Sequence, residues 1–356
     1  MTFKGVLFAS VALGAIGARG ASAQAAPEAA ELRKAAERSL PFLETGGAAW
    51  IQEKGCASCH HVPFLLWSHN EARRRGLAVD AGKLEGWTNW TLTASLALGK
   101  EGGGLDTMGQ LILGRDGASR WRQKPPKHLK TVDPFETLWE HIVERQNPDG
   151  SWKPEGQLTC PPEITTGWAL LALASRETKP PPEDPAKGPS VGIGPGLVKQ
   201  LKKIEETLPK AREQGIAYLR QAPSDQSTES LLLRMLVERK LGDAGRAGEL
   251  RKELLALQRP DGLWSYRKTA EAGDAFATGQ VLYALSVDGV EADDPALRKA
   301  CKALIETQRP DGSWTVAARS IRTGKDGDPK KIDFVYTYWG SAWATIGLLQ
   351  SLPLKP

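Results

Sequence analysis

Residues 52–61 read Gln-Glu-Lys-Gly-Cys-Ala-Ser-Cys-His-His, so Cys56, Cys59 and His60 form a C-x-x-C-H pattern. This is the spacing of c-type haem attachment. Two thiols add across the two vinyl groups of a porphyrin, and the imidazole after the second thiol reaches the iron. The same thiols also suit a Cys56–Cys59 disulfide or redox pair, or half of a zinc site. Zinc asks for a second Cys/His pair at similar spacing, whereas Cys160 and Cys301 each stand alone. A thioredoxin-type pair asks for a βαβ setting, which the pattern of this chain lacks. Covalent haem c held by Cys56, Cys59 and His60, with His60 on the iron, is the leading expectation, and the disulfide stays open beside it.

A haem iron has a second axial position, and the other histidines and a methionine compete for it. His61 is excluded because its backbone is continuous with that of His60. His69 stands nine residues further on, along the helix expected there, and His128 and Met108 belong to a Gly-rich, then basic, stretch. A filled position favours electron transfer, and an open one favours chemistry on a bound substrate or peroxide.

Export would place this chemistry where covalent haem attachment occurs in bacteria. Lys4 precedes the apolar run Val6–Gly17, and Ala21-Ser22-Ala23 fits a small-residue cleavage site, the pattern of a secretory signal peptide. The expectation is a signal peptide over 1–23, cleavage near Ala23 and a periplasmic or secreted protein. The run is too short for a membrane span, and none is expected later. Removing residues 1–23, which carry Lys4 and Arg19 and no acid, lowers the formal charge from +5 to +3. That balance points away from nucleic acid. The partners expected are a redox partner protein or an apolar small molecule.

The elements that must position the motif follow from a repeat. Gln146-Asn-Pro-Asp-Gly-Ser-Trp152 recurs as Gln258-Arg-Pro-Asp-Gly-Leu-Trp264 and as Gln308-Arg-Pro-Asp-Gly-Ser-Trp314. The last two copies begin 50 residues apart, room for two helices and their loops. Amphipathic segments precede the copies at 135–145, 247–257 and 295–307, and more uniformly apolar ones follow. This describes hairpins of an outer and an inner helix. Pro-Asp-Gly makes the turn, since Pro fixes φ and Gly permits φ > 0. Inner segments are expected at 63–75, 87–99, 163–175, 226–240, 274–286 and 336–350. The second of them is entered by a short outer turn at 81–85.

The repeated Gln-x-x-Asp-Gly-x-Trp resembles the QW repeat of squalene/hopene cyclases and of the protein prenyltransferase toroids, over about residues 40–352. The resemblance implies an all-α fold, a single α/α toroid of about six helical hairpins. It also implies that the Gln and Trp of each copy tie outer helices together, and that inner helices line a cavity. The toroid would occupy 24–356, with 102–130 and 177–200 as insertions or linkers. In the first repeat Gln52-Glu-Lys-Gly55 takes the place of the turn signature, and the cysteines follow where Trp should be.

The inner-helix aromatics Trp67, Trp168, Tyr336, Tyr338, Trp339 and Trp343 are candidates to line the cavity, with core packing as the alternative. Glu163, Asp225, Glu229, Asp274 and Asp333, near inner-helix starts, suit either paired-carboxylate chemistry or N-capping. The Asp-x-Asp-Asp acid of hopene cyclases is missing. Glu291-Ala-Asp293-Asp294, followed by Pro295, reads as the start of an outer helix. The function expected is an exported c-type haem protein on a cyclase-like toroid, for electron transfer or haem-assisted redox chemistry. The alternatives are a haem-free toroid enzyme acting on an isoprenoid, lipid or polysaccharide, and a non-catalytic binding module.

Overall fold

Each copy of the repeated turn closes on its own loop and grips the next outer helix, and a ring results. The computed structural model describes residues 29–55, 61–97, 104–115, 134–154, 160–176, 195–318 and 329–354. Twelve helices and no strand occur among the described residues. The outer layer is α1 (Ala29–Lys54), α3 (Ala81–Ala97), α5 (Pro134–Glu144), α7 (Pro195–Gln221), α9 (Ala244–Ala256) and α11 (Pro295–Thr307). The inner layer is α2 (Val62–Arg74), α4 (Leu105–Leu113), α6 (Pro162–Ala174), α8 (Thr228–Leu241), α10 (Ala275–Val287) and α12 (Pro329–Gln350). Each inner helix packs on the next in that order, and α12 returns to α2. The circle of six is closed, and the fold is an α/α toroid.

The two layers differ as their sequences do. Every residue of α6 from Glu163 to Leu173 is buried, and so is every residue of α10 from Ala275 to Leu285. In α11 only Leu297, Ala300, Cys301, Ala303 and Leu304 are buried, a single stripe at helical spacing. Asp274 and Asp294 cap α10 and α11, accepting from the backbone of Ala277 and Ala296.

The repeated turns share one set of bonds. Gln146 Nε2 donates to Gly150 O and to Ala211 O of α7. Gln258 Nε2 makes the same pair with Gly262 O and Ala296 O of α11. Gln308 Nε2 bonds Gly312 O and Ala35 O, which joins the last outer helix to the first. The indoles of Trp152, Trp264 and Trp314 donate back to Ile142 O, Leu254 O and Leu304 O, and all three rings are fully buried. Their backbone N–H groups reach forward to Thr166, Thr278 and Ser341 on the inner helices. One heptapeptide thus ties its own outer helix, the next outer helix and the following inner helix.

Glycine is required in these turns on two grounds. Gly150, Gly262 and Gly312 have φ of +86°, +89° and +83°, a region costly to other residues. A Cβ on Gly312 would also lie 2.0 Å from Arg38 O of α1.

The second inner helix is not where the sequence pattern placed it. Residues 81–97 form one continuous helix, α3, which packs against α2 and the outer helix α5. The inner position belongs to α4, inside the stretch expected to be a loop. Leu105, Met108, Leu111 and Ile112 are its large buried side chains, spaced to fall on one helical face. Two glycines let it approach closely: a Cβ on Gly109 would sit 3.2 Å from Trp168 O, and one on Gly114 would sit 2.6 Å from Trp67 Cβ. α7 begins at Pro195, inside the stretch 177–200 expected as an insertion or linker, and residues 177–194 lie outside the described residues.

Gly55 also has positive φ, +56°, but nothing stands within 4 Å of where its Cβ would be. Gly312→Ala is therefore expected to cost about 3 kcal/mol or more, backbone strain plus a clash, and Gly55→Ala about 1 kcal/mol, strain alone. Urea unfolding of the two variants measures the difference.

Candidate functional site

In sequence the haem-type motif falls between the end of α1 and the start of α2, and these two helix ends lie on the rim where outer helices hand over to their inner partners. Cys56, Cys59 and His60 fall outside the described residues, as does His128. Their flanks are described. On one side, α1 ends at Lys54, Gly55 N–H closes on Ile51 O, and Gln52 is exposed. The turn lock of the other repeats is thus not made by Gln52. On the other side His61 is completely buried and starts α2, its carbonyl accepting from Leu65 N.

Aromatic rings hold this second flank. The His61 ring stacks on Trp50 of α1, with centroids 4.3 Å apart and planes 7° from parallel. Tyr338 of α12 packs on it at 3.9 Å, and Phe334, one turn earlier on α12, stacks at 5.4 Å. The Tyr338 hydroxyl donates to Leu43 O and His61 O, at 3.0 and 3.2 Å. Burial pushes its ionisation well above the ordinary tyrosine range. The ring fits because α1 carries Gly46 and Gly47 beneath it: a Cβ on either would come within 3 Å of Tyr338. Three helices thus fix the residue that follows the motif. Tyr338 serves as a spacer between α1 and α2.

His69 lies on α2 between α1 and α3, beside the edge of Trp87 at 5.6 Å, and it is buried. Its Nδ1 is 2.8 Å from Leu65 O and donates there, leaving Nε2 as a buried acceptor with no hydrogen bond. Burial holds its pKa below the ordinary value, opposed by the Leu65 carbonyl and by Glu44. Met108 is buried on the inner helix α4. Among the described residues no group of three His, Cys, Asp or Glu side chains is placed to hold a metal ion. Cys301 is buried against Ser351, its thiol pushed up to about 11 by desolvation.

The inner aromatics meet one another. Trp67 of α2 contacts Trp343, Tyr283 and Trp168 edge-on, with centroids 5.1, 5.2 and 6.5 Å apart. Trp343 stacks on Trp168 at 5.8 Å. These four rings, from α2, α6, α10 and α12, join across the interior of the ring. Nearer the rim, Tyr336, Trp339, Phe276 and Phe64 form a second group, in which Trp339 is half-buried.

The acids divide. Asp274 is an N-cap, and Asp225 accepts from Ser227 just ahead of α8. Glu163 receives Asp225 N, the Ser230 hydroxyl and Arg234, and Asp333 receives Ala318 N. Glu229, in the first turn of α8, differs. Its Oε1 accepts from the Trp168 indole and from Gln280 Nε2, both at 3.0 Å. The carboxylate is thus held by residues of α6 and α10, the inner helices on either side of α8, and Trp168 in turn stacks on Trp343.

The sequence matches no protein-family model and no curated protein sequence. Solved structures match the fold. A possible member of the GH105 family from Salmonella enterica serovar Paratyphi A is 15% identical, with a TM-score of 0.58 over 92% of this chain and 95% of that one. A variant of the type II terpene cyclase MstE from Scytonema, in complex with geranylgeranyl dihydroxybenzoate, is 13% identical, with a TM-score of 0.51 over 91% and 98%. The unliganded MstE gives 14% and 0.50. The architecture is that of these toroids. No helix among the described residues is long and apolar enough to cross a membrane.

His69 gives a pH prediction. Its folded pKa lies below the unfolded value of about 6.5, so the unfolded chain takes up the proton first as pH falls. Stability is then complete above about pH 6.5 and is lost towards the folded pKa, by at most about 1.4 kcal/mol per pH unit. Urea unfolding between pH 7.5 and 5 should show this slope in the wild type and a shallower one in His69→Phe.

Proposed function

We propose that this chain is an exported c-type haem protein built on an α/α toroid, serving electron transfer or haem-assisted redox chemistry. The observation that carries the reading is the C-x-x-C-H motif, which stands where the turn signature of the locked repeats would be. Cys56 and Cys59 would hold the porphyrin through thioethers, and His60 would ligate the iron. Haem would supply a one-electron Fe(III)/Fe(II) couple there. The chain's own contribution is to hold the loop's ends. Gly55 leaves the first end open, and the ring stack on His61 fixes the second. Phe334, 49% exposed, offers an apolar face beside it. The apparent signal peptide, in residues outside those described, agrees with haem attachment outside the cytoplasm. The other axial position would be taken by His69, His128 or Met108, or by a small ligand; His69 and Met108 are both buried within helix packing.

Expression of the full chain with a haem-attachment system tests this. A Soret band that survives denaturation and acid–acetone extraction is expected for the wild type. It should be lost in Cys56→Ala with Cys59→Ala. A wild-type protein that emerges colourless would overturn the reading.

Glu229 favours a second reading, a toroid that binds or transforms an apolar molecule in its interior. The MstE structure holds an isoprenoid-bearing molecule, geranylgeranyl dihydroxybenzoate. Here a carboxylate oriented by Trp168 and Gln280 stands beside stacked indoles. If the interior takes such a ligand, Glu229→Gln should lower its affinity or turnover at least tenfold and change stability by about 1 kcal/mol or less. Calorimetric titration with isoprenoid alcohols and diphosphates measures it.

A further inference from the structure

Two charged side chains where α7, α8 and α9 meet stand against the helix dipole. Glu238 lies in the last turn of α8, where a negative charge is disfavoured, and Arg246 in the first turn of α9, where a positive one is. Arg220 of α7 holds the Glu238 carboxylate with two bonds, Nε to Oε1 at 2.8 Å and Nη2 to Oε2 at 2.7 Å. Arg246 Nε stands 3.3 Å from the same Oε1, and Asp243 N–H donates to Oε2 at 3.0 Å. Gly242 makes room for this arrangement, since a Cβ there would collide with Oε2. Burial opposes the ionised form of Glu238, but the bonds from Arg220 and Asp243 overcome it and hold the carboxyl below its ordinary range.

One carboxylate is thus shared by two guanidiniums, and a third borders the same cleft. Arg234 of α8 lines it too, donating to Leu219 O and Ala222 O and standing 3.4 Å from Glu163. The apolar part of the lining includes Val237 and Leu250, and the space is about 270 Å³ including its open mouth. The side chains of Arg220 and Arg246 are 41% and 48% exposed, against 5% for Glu238, so the cations meet water while the acid does not. Nη1 of Arg220 and both Nη groups of Arg246 take no part in holding Glu238. We propose that this cleft between α7, α8 and α9 binds a phosphate group, free or borne by a small apolar molecule, with Arg220 and Arg246 as binding residues and Glu238 as the residue that positions their forks. A guanidinium offers paired N–H donors in a fixed plane, and a phosphate offers several acceptor oxygens and enough charge for two such forks. The proposal is independent of both readings under the preceding heading.

Calorimetric titration of the full chain with inorganic phosphate and with phenyl phosphate, at an ionic strength held constant with chloride, tests this. Both should bind the wild type, and Arg246→Gln should lower both affinities at least about tenfold. Thermal unfolding of that variant without phosphate should stay near the wild type, since an exposed ion pair adds little stability. Arg246→Lys keeps the charge but not the fork, and should fall between the two. Lys252→Gln, exposed on α9 and paired with Glu249, is the control and should bind as the wild type does. Glu238→Gln should weaken binding although the cleft becomes more positive, and tighter binding there would overturn the positioning role. Tighter binding of phenyl phosphate would assign an ester lying on Val237 and Leu250, and equal binding the free ion. No heat with either phosphate on the wild type, or equal affinities in wild type and Arg246→Gln, would overturn the proposal.

Discussion

One glutamine amide closes the ring. Gln308 Nε2 holds Ala35 O of α1 and Gly312 O of its own turn, while Gln308 Oε1 accepts from Arg38 Nε at 2.9 Å. This seam joins segments some 270 residues apart, and α1 and α12 pack against each other beside it. The inner layer closes at the same seam, where α12 packs on both α1 and α2. Gln146 and Gln258 repeat the geometry at two other junctions, so one local rule serves three of the six outer-helix junctions. Each lock also buries a tryptophan whose indole N–H is satisfied, which removes the cost of burying that group.

The first repeat departs from the rule, and the departure gives the rim its chemical interest. Gln52 is exposed and Gly55 touches no neighbouring helix. The loop is fixed instead at its far end by rings from three helices, centred on His61. A turn-lock glycine pressed against the next outer helix leaves no room for a prosthetic group.

The locks were legible in the sequence because each is made by one short, repeated stretch: Pro and Gly gave the turn from their backbone geometry, and the resemblance to the QW repeat implied that Gln and Trp tie the outer helices. The amphipathic outer helices and the caps Asp274 and Asp294 followed from the same kind of local pattern. The second inner helix was not legible. α4 has only nine residues, and its glycines, which read as loop, are there for close packing on Trp168 and Trp67. The stack on His61 was equally hidden, because Trp50 and Phe334 are 284 positions apart and only ring closure brings them together. Tyr338, a candidate for the cavity, was found at the α1–α2 contact for the same reason.

The central claim is that the ring is closed by glutamine locks and that the first turn has been released from that duty. Amide hydrogen exchange on Gln308→Leu and Gln52→Leu tests it most directly. Protection should fall together along α1, α11 and the first turns of α12 in Gln308→Leu, as one cooperative unit, and stay at wild-type levels throughout in Gln52→Leu. Equal losses in the two variants, or a loss in Gln308→Leu confined to its own loop, would contradict the account.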